Sequence, residues 1–327
     1  MRSIKLPSWT ERLLGLDPRP VPPHVFMLDA QGLVYGRFVR AESGFEVEEV
    51  SQVDLPEGLF GEGPLGGPMH DVGLFKPLLT ELVESVEGGV EEASLVLPDA
   101  WLRVAFAEMN EVPKSGTKRD EALRWKLKRE VPFPVEELRL EGLPVARLPA
   151  QPEAQRLMLA YAIDATLRQL EDAFTACGVR LGRILNSSLS AVDSVREVID
   201  GLDLAVLVLV SGDGYGLTFT QGGEPLLHRF RGLDPAMGAK AAGQLVLRDL
   251  KLTQTFLSEQ LPGREVGRVL LIGESSDQGF WLESLREGLG QFPVALGREQ
   301  LPLRGQVPDV SPSVLAPMLG AVCWEIA

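Results

Sequence analysis

Apolar and polar positions alternate in short runs over the first quarter of the chain. The runs 25–28, 33–39 and 45–53 are β-prone and are separated by Gly32 and by Ser43-Gly44, which predicts a three-stranded meander. A Gly- and Pro-rich stretch, 56–68, reads as a surface loop. Leu78, Leu79, Leu82, Val83 and Val86 then recur at helical spacing, so a helix is predicted over 74–86, ended by Gly88-Gly89. Strands follow at 93–97, stopped by Pro98-Asp99, and at 102–107. Further strands are predicted at 137–140, 157–163 and 180–185, with helices at 167–176 and at 190–199, the latter capped by Ser188 or Ser190.

The second half starts over. Strands at 204–210, 216–220 and 225–230 are joined by a Gln221-Gly222-Gly223 turn, and a long helix runs over 235–260 up to Pro262-Gly263. A strand at 269–272, a helix at 281–289, a strand at 294–296 and a helix at 312–326 complete the pattern. Each half opens with a meander and continues with alternating helices and strands. Two such sheets flanked by helices would face one another across a cleft.

At 327 residues the chain has room for two domains. Its 32 basic and 46 acidic residues leave a net charge of −14, which repels phosphate backbones and speaks against a nucleic-acid partner. Cys177 and Cys323 are far apart, and the three histidines, His24, His70 and His228, lack metal-ligand spacing; no metal site is expected. The most apolar run, 204–210, is too short to span a bilayer. The first 21 residues read as an amphipathic and Pro-rich segment, with Leu13, Leu14 and Leu16 on one side and Glu11 and Arg12 interrupting any signal-peptide core.

One segment is basic on this acidic chain. Lys114, Lys118, Arg119, Arg124, Lys126, Lys128 and Arg129 surround only Asp120 and Glu121, on a helix that Thr117 would cap and Pro132 would stop. Leu123 and Leu127 mark its buried side. The bland reading is a solvated face; the sharper one is a docking surface for an acidic partner segment, with Arg124, Lys126, Lys128 and Arg129 as its contacts. Trp101, Trp125, Trp281 and Trp324 read as core or junction residues, and His228, on an alternating strand, as a surface or cleft side chain. His70 beside Asp71 has no nucleophile pattern around it.

Specific residues then narrow the duplicated plan. The stretches LPDAWLRV at 97–104 and ALRWKLKREVPFPVEELRL at 122–140, with the step Glu130-Val131-Pro132-Phe133, resemble the type IV pilus biogenesis proteins of the PilM family. They are also similar to the cytoplasmic part of the type II secretion protein GspL. The hairpin at 205–233, down to its Gly-Gly turn before a Pro, resembles the start of the family's second lobe. The resemblance implies an actin-like (ribonuclease H-like) α/β fold with two lobes around a cleft and a small α+β subdomain inserted in the first lobe. The expected divisions are a first lobe over 22–200, its insertion at about 112–188, and a second lobe over 201–327. It further implies a cytoplasmic scaffold, peripheral at the inner membrane. Such a scaffold would hold the cytosolic N-terminal tail of a single-pass PilN-like partner in a first-lobe groove, with a pilus motor ATPase or other inner-membrane pilus components as further partners.

The same resemblance implies two phosphate-binding turns, each with an acid for magnesium and small residues that let backbone amides reach oxygens. In the first turn Asp29 is kept, Gln31 stands where Gly is expected before Gly32, and no hydroxyl follows. In the second, Leu209-Val210-Ser211 lacks the acid, with Asp213 close by between Gly212 and Gly214. The adenosine segment keeps Gly273 and adds Glu274, a carboxylate unfavourable beside phosphates. These nine positions (Asp29, Gln31, Gly32, Ser211, Gly212, Asp213, Gly214, Gly273 and Glu274) make an eroded nucleotide cleft. No cofactor is expected, ATP with magnesium being the one the fold would carry. The alternative to a non-enzymatic scaffold is an actin-like ATPase or sugar-kinase-like phosphotransferase.

Overall fold

The computed structural model describes residues 21–29, 32–61, 65–113, 116–129, 131, 134–212, 214–234, 236–273, 278–306 and 309–323. The first lobe opens with β1 (His24–Leu28), β2 (Gly32–Arg40) and β3 (Phe45–Asp54), the expected meander, followed by α1 (Val72–Glu84) and β4 (Glu92–Leu97). A separate piece follows: β5 (Arg103–Met109), α2 (Thr117–Leu127), β6 (Leu138–Val145) and β7 (Gln155–Ile163). The chain then returns through α3 (Asp164–Ala176), β8 (Arg180–Asn186), α4 (Ser187–Ser194) and the short α5 (Arg196–Ile199). The second lobe has β9 (Ala205–Ser211), β10 (Gly214–Gln221), β11 (Glu224–Gly232), α6 (Ala239–Gln260), β12 (Arg268–Ile272), α7 (Gln278–Leu289) and β13 (Val294–Ala295). Last come β14 (Leu303–Arg304) and α8 (Pro312–Cys323).

The two main sheets repeat one topology. Strand order is β14-β3-β2-β1-β4-β8 in the first and β11-β10-β9-β12-β13 in the second. In each, the meander is antiparallel, its first strand pairs in parallel with the next strand (β1 with β4, β9 with β12), and a further parallel strand follows. This is the actin-like α/β fold in two lobes. The hairpin turn between β10 and β11 is Gly222-Gly223, with φ of 55° and 79°, the left-handed pair that two-residue hairpins need.

The first strand of each sheet is buried on both faces, which is why these runs are apolar without alternation. On β1, Phe26 and Leu28 pack with Phe75 and Leu79 of α1 and Phe174 of α3, while Val25 and Met27 point the other way. On β9, Val206 and Val208 pack with Val246 and Leu250 of α6 and Trp281 of α7, while Leu207 and Leu209 face inward. The inward sets meet in one core through Ala191 and Val192 of α4 and Leu315, Met318 and Leu319 of α8. The lobes are therefore joined by two helices buried between their sheets.

Several expectations shift. The inserted sheet, ordered β5-β7-β6, takes its strands from Arg103 to Ile163, not from about 112–188; α3 and β8 belong to the first lobe, where β8 pairs with β4. The second-lobe span of 201–327 is crossed as well, since β14 pairs with Phe45 and Glu46 of β3. Thr117 is the first helical residue of α2, not its cap: Gly116 caps it with no side-chain bond. The helix ends at Leu127, ahead of the expected Pro132 stop, which lies outside the described residues. For α4 the cap is Asn186, whose side chain accepts the Leu189 N–H at 2.9 Å, so Ser188 and Ser190 lie inside the helix. Asp71, singled out beside His70, caps α1 by accepting the Gly73 N–H at 2.8 Å. The long helix starts at Ala239, after the expected 235, and the amphipathic reading of residues 1–20, with Trp324, lies outside the described residues.

Candidate functional site

The two turns expected to hold phosphates are equivalent corners of the repeat, each joining the first and second strands of its sheet. In the β1–β2 turn the Asp29 N–H donates to the Gly32 carbonyl at 3.0 Å, and the Asp29 carboxylate accepts the Gly32 N–H at 2.7 Å. Gly32 is required there, because a Cβ would stand 2.4 Å from the Val53 carbonyl oxygen. In the β9–β10 turn Ser211 pairs with Gly214, so Ser211 occupies the corner that Asp29 holds in the first lobe. Its hydroxyl donates to the Gly214 carbonyl at 3.3 Å. Gly214, at φ 154°, would carry a Cβ 2.1 Å from the Arg231 carbonyl. Gly273 follows β12, parallel neighbour of β9, with Val210 beside it.

Among the described residues these corners offer one carboxylate, engaged by its own turn, and one hydroxyl. A magnesium-bound nucleotide is best served by an acid in each turn, and among the described residues only the first turn supplies one. Gln31, Asp213 and Glu274 lie outside the described residues. No group of three or more His, Cys, Asp or Glu able to hold a metal occurs among the described residues.

Where the lobes meet, the structure builds a buried polar seam that the sequence pattern does not reveal. Asp99, just after β4 and 2 % exposed, accepts the Ser188 hydroxyl at 2.5 Å and the Ser188 N–H at 3.2 Å. His228 of β11 places Nε2 3.7 Å from the Asp99 carboxylate and Nδ1 3.0 Å from the Thr218 hydroxyl. Burial pushes His228 below the ordinary histidine range; Asp99 pulls upward and Arg103 downward. Of the surface or cleft reading of His228 the surface half is corrected: β5 of the inserted subdomain packs against β11, leaving the residue 6 % exposed in the wall of a recess between the two. The signal for Asp99 was the acid after Pro98, just beyond the buried strand β4.

The four basic residues proposed as partner contacts lie on or directly after α2, but not all are available. Arg124 is turned onto its own subdomain, donating to Asp120 at 2.8 Å and to the Val135 carbonyl. Lys128 lies 3.7 Å from Glu136, both well exposed, a pair worth little in water. Arg129 stacks over Trp125, 5.6 Å from the ring centre. Lys126 is half-buried. Trp125, read as a core or junction residue, is 63 % exposed, since only Leu123 and Leu127 of α2 enter the subdomain core.

The subdomain is tied to both lobes through arginines. Arg139 of β6 donates to Asp164 at 2.8 Å and bidentately to Glu171 at 2.6 and 2.9 Å, both on α3. Arg156 of β7 donates to Glu108 at 3.2 Å, lies over Phe106 and reaches the Leu226 carbonyl of β11.

No protein-family model matches the chain, and no curated protein shows significant sequence similarity to it. Among solved structures, the fold resembles a PilM-PilN type IV pilus biogenesis complex, with a TM-score of 0.70 at 15% identity over 94% of this chain and 97% of the other. It also resembles the cytoplasmic domain of EpsL, an inner membrane component of the type II secretion system of Vibrio cholerae, with a TM-score of 0.52 at 14% identity over 93% and 95%. A Bacteroides thetaiotaomicron protein with an actin-like ATPase fold and unknown function matches with a TM-score of 0.50 at 10% identity over 89% and 94%. These likenesses establish the fold, and the resemblance drawn from the sequence is met at that level.

Proposed function

We propose that the chain is a non-enzymatic assembly scaffold of a type IV pilus or type II secretion-like machine. It works on the cytoplasmic face of the inner membrane and binds the N-terminal cytosolic tail of a single-pass PilN-like protein. The observation that carries this reading is the contrast between a kept fold and eroded chemistry. Similarity runs along nearly the whole of this chain and of the chain it matches in the pilus complex, while Ser211 stands at the second corner and Asp29 is occupied by its own turn. An actin-like ATPase or sugar-kinase-like phosphotransferase would need that acid pair, so the enzyme reading is the weaker one. No helix among the described residues is long and apolar enough to cross a membrane, which suits attachment through a partner.

Short tails bind such folds by adding backbone hydrogen bonds and a few side-chain anchors. Exposed Trp125, with Arg129 stacked on it and Lys128 beside it, offers an aromatic and cationic anchor for such a tail. The test is affinity capture of the tagged protein from detergent-solubilised native membranes. A dominant single-pass inner-membrane protein, lost when its cytosolic N-terminal tail is deleted, is the expected result. Recovery of the protein alone, or with soluble metabolic enzymes, would overturn the reading.

A further inference from the structure

A recess of about 240 Å³ opens between the inserted subdomain and the second lobe. The subdomain contributes Arg103 and Tyr161 to its wall; β11 contributes His228, Arg229 and Arg231, and α6 contributes Asp249. On a chain of net charge −14, three guanidiniums converge here. Two carboxylates stand against them, and both are occupied. Asp249 is held bidentately by Arg231 at 2.5 and 2.6 Å and receives the Tyr215 hydroxyl at 2.7 Å. Asp99, behind His228, accepts both Ser188 donors.

One donor in the recess is left over. The Arg229 Nε is shut off from solvent and has no hydrogen-bond partner, while the buried His228 Nε2 faces the Asp99 carboxylate at 3.7 Å. A charged donor left unmet away from water is costly, so the Arg229 guanidinium calls for an anionic ligand. Arg103 is engaged, donating to the Ala100 carbonyl at 3.3 Å and lying over the Phe230 ring, and it lends positive potential. The β-strand alternation explains the layout: Arg229 and Arg231 project from the α6 side of β11 and His228 from the opposite side, so the recess wraps the strand's outer edge.

We infer that this recess is a binding site for a small phosphate-type oxyanion, held by Arg229 with the positive potential of Arg103 and Arg231. The size excludes a drug-sized ligand and suits inorganic phosphate or a short phosphomonoester. Planar guanidinium donors match that geometry. The recess includes none of the residues of the two turns and does not depend on the scaffold reading. An occupant would touch both the subdomain and the second lobe.

The test is calorimetric titration of the purified full chain with inorganic phosphate and, separately, with glycerol phosphate, against sodium chloride of equal ionic strength. One site per chain is expected, with a phosphate-dependent rise in the thermal midpoint. Arg229→Gln should weaken binding about tenfold or more, Arg229→Lys less, and Trp125→Ala not at all. Tighter binding of the ester assigns the site to an organic phosphate, and equal binding to the free ion; both support it. Arg229 lies on an edge strand, so its variants should fold, which their midpoints in chloride will check; if Arg229→Gln does not, Arg229→Lys carries the comparison. Absence of binding to both probes, or affinity unchanged by the Arg229 variants, overturns the inference.

Discussion

A side chain placed on Gly320 of α8 would stand 1.6 Å from the carbonyl oxygen of Ser190 on α4. The Ser190 hydroxyl also donates to the Pro317 carbonyl at 2.7 Å, so the two helices that join the lobes touch backbone to backbone. A carbonyl inside a helix cannot turn away as a side chain can. Gly320→Ala should therefore cost about 3 kcal/mol, the upper end for overpacking, and lower the thermal midpoint by roughly 5 °C or more. Calorimetric unfolding decides it, and an unchanged midpoint would show that the helices separate freely.

Asp99 and Ser188 make a second contact across the first lobe's edge, and here the loss is polar. Asp99→Ala leaves the buried Ser188 N–H and hydroxyl without an acceptor and should destabilise by about 2–3 kcal/mol. Asp99→Asn keeps one acceptor oxygen and should cost less. Denaturant unfolding of the two variants separates these outcomes. Equal losses would mean that volume, not hydrogen bonding, holds the seam.

The seam also gives a pH dependence with a definite sign. Burial holds His228 below its ordinary value, with Asp99 in front of it, Thr218 at Nδ1 and Arg103 nearby. The unfolded chain takes up its proton first, at about pH 6.5. His228 therefore favours folding fully above that pH, and the contribution is lost as pH falls below it toward the folded-state value. The slope of stability between about pH 7 and pH 5 should be shallower in His228→Gln. A slope identical to the parent's would show that other groups set the acid limb.

How much of this was legible before folding depends on where the cause sits. The Gly222-Gly223 turn was legible because its φ values admit few other residues, and the apolar run of β9 because both its faces are buried. The repeat of meander and alternating elements followed from the same local signals. The burial of His228 was not, since it depends on β5 covering β11, a pairing of segments more than a hundred residues apart. Nor was the start of the inserted sheet: Val104 and Phe106 read like any strand, and nothing local says that β5 pairs with β7 instead of joining β4. Capping failed where Asn186 outcompeted two serines for one helix start.

The eroded turns lead to a statement about nucleotide. With Ser211 in the second corner and Asp29 engaged by Gly32, magnesium-ATP should not raise the thermal midpoint at millimolar concentration. Ser211→Asp restores an acid to that corner and should give a measurable upward shift with magnesium-ATP and none with ATP in chelator. A shift of several degrees in the parent protein would return the ATPase reading to first place.

Trp125 separates a docking role from a structural one. Its ring is 63 % exposed, so Trp125→Ala should change stability by no more than about 0.5 kcal/mol. An aromatic anchor at the centre of an interface commonly costs about 2 kcal/mol or more when truncated, which is roughly thirtyfold in affinity. If the tail docks on α2, Trp125→Ala should abolish membrane-partner capture while far-UV spectra and the unfolding midpoint stay put. Lys128→Glu, which reverses an exposed charge, should weaken capture mainly at low salt. Arg124→Gln instead removes a bond to the Val135 carbonyl and should lower subdomain stability first. Capture that survives Trp125→Ala and Lys128→Glu together moves the tail's groove off the α2 face and onto another surface of the first lobe.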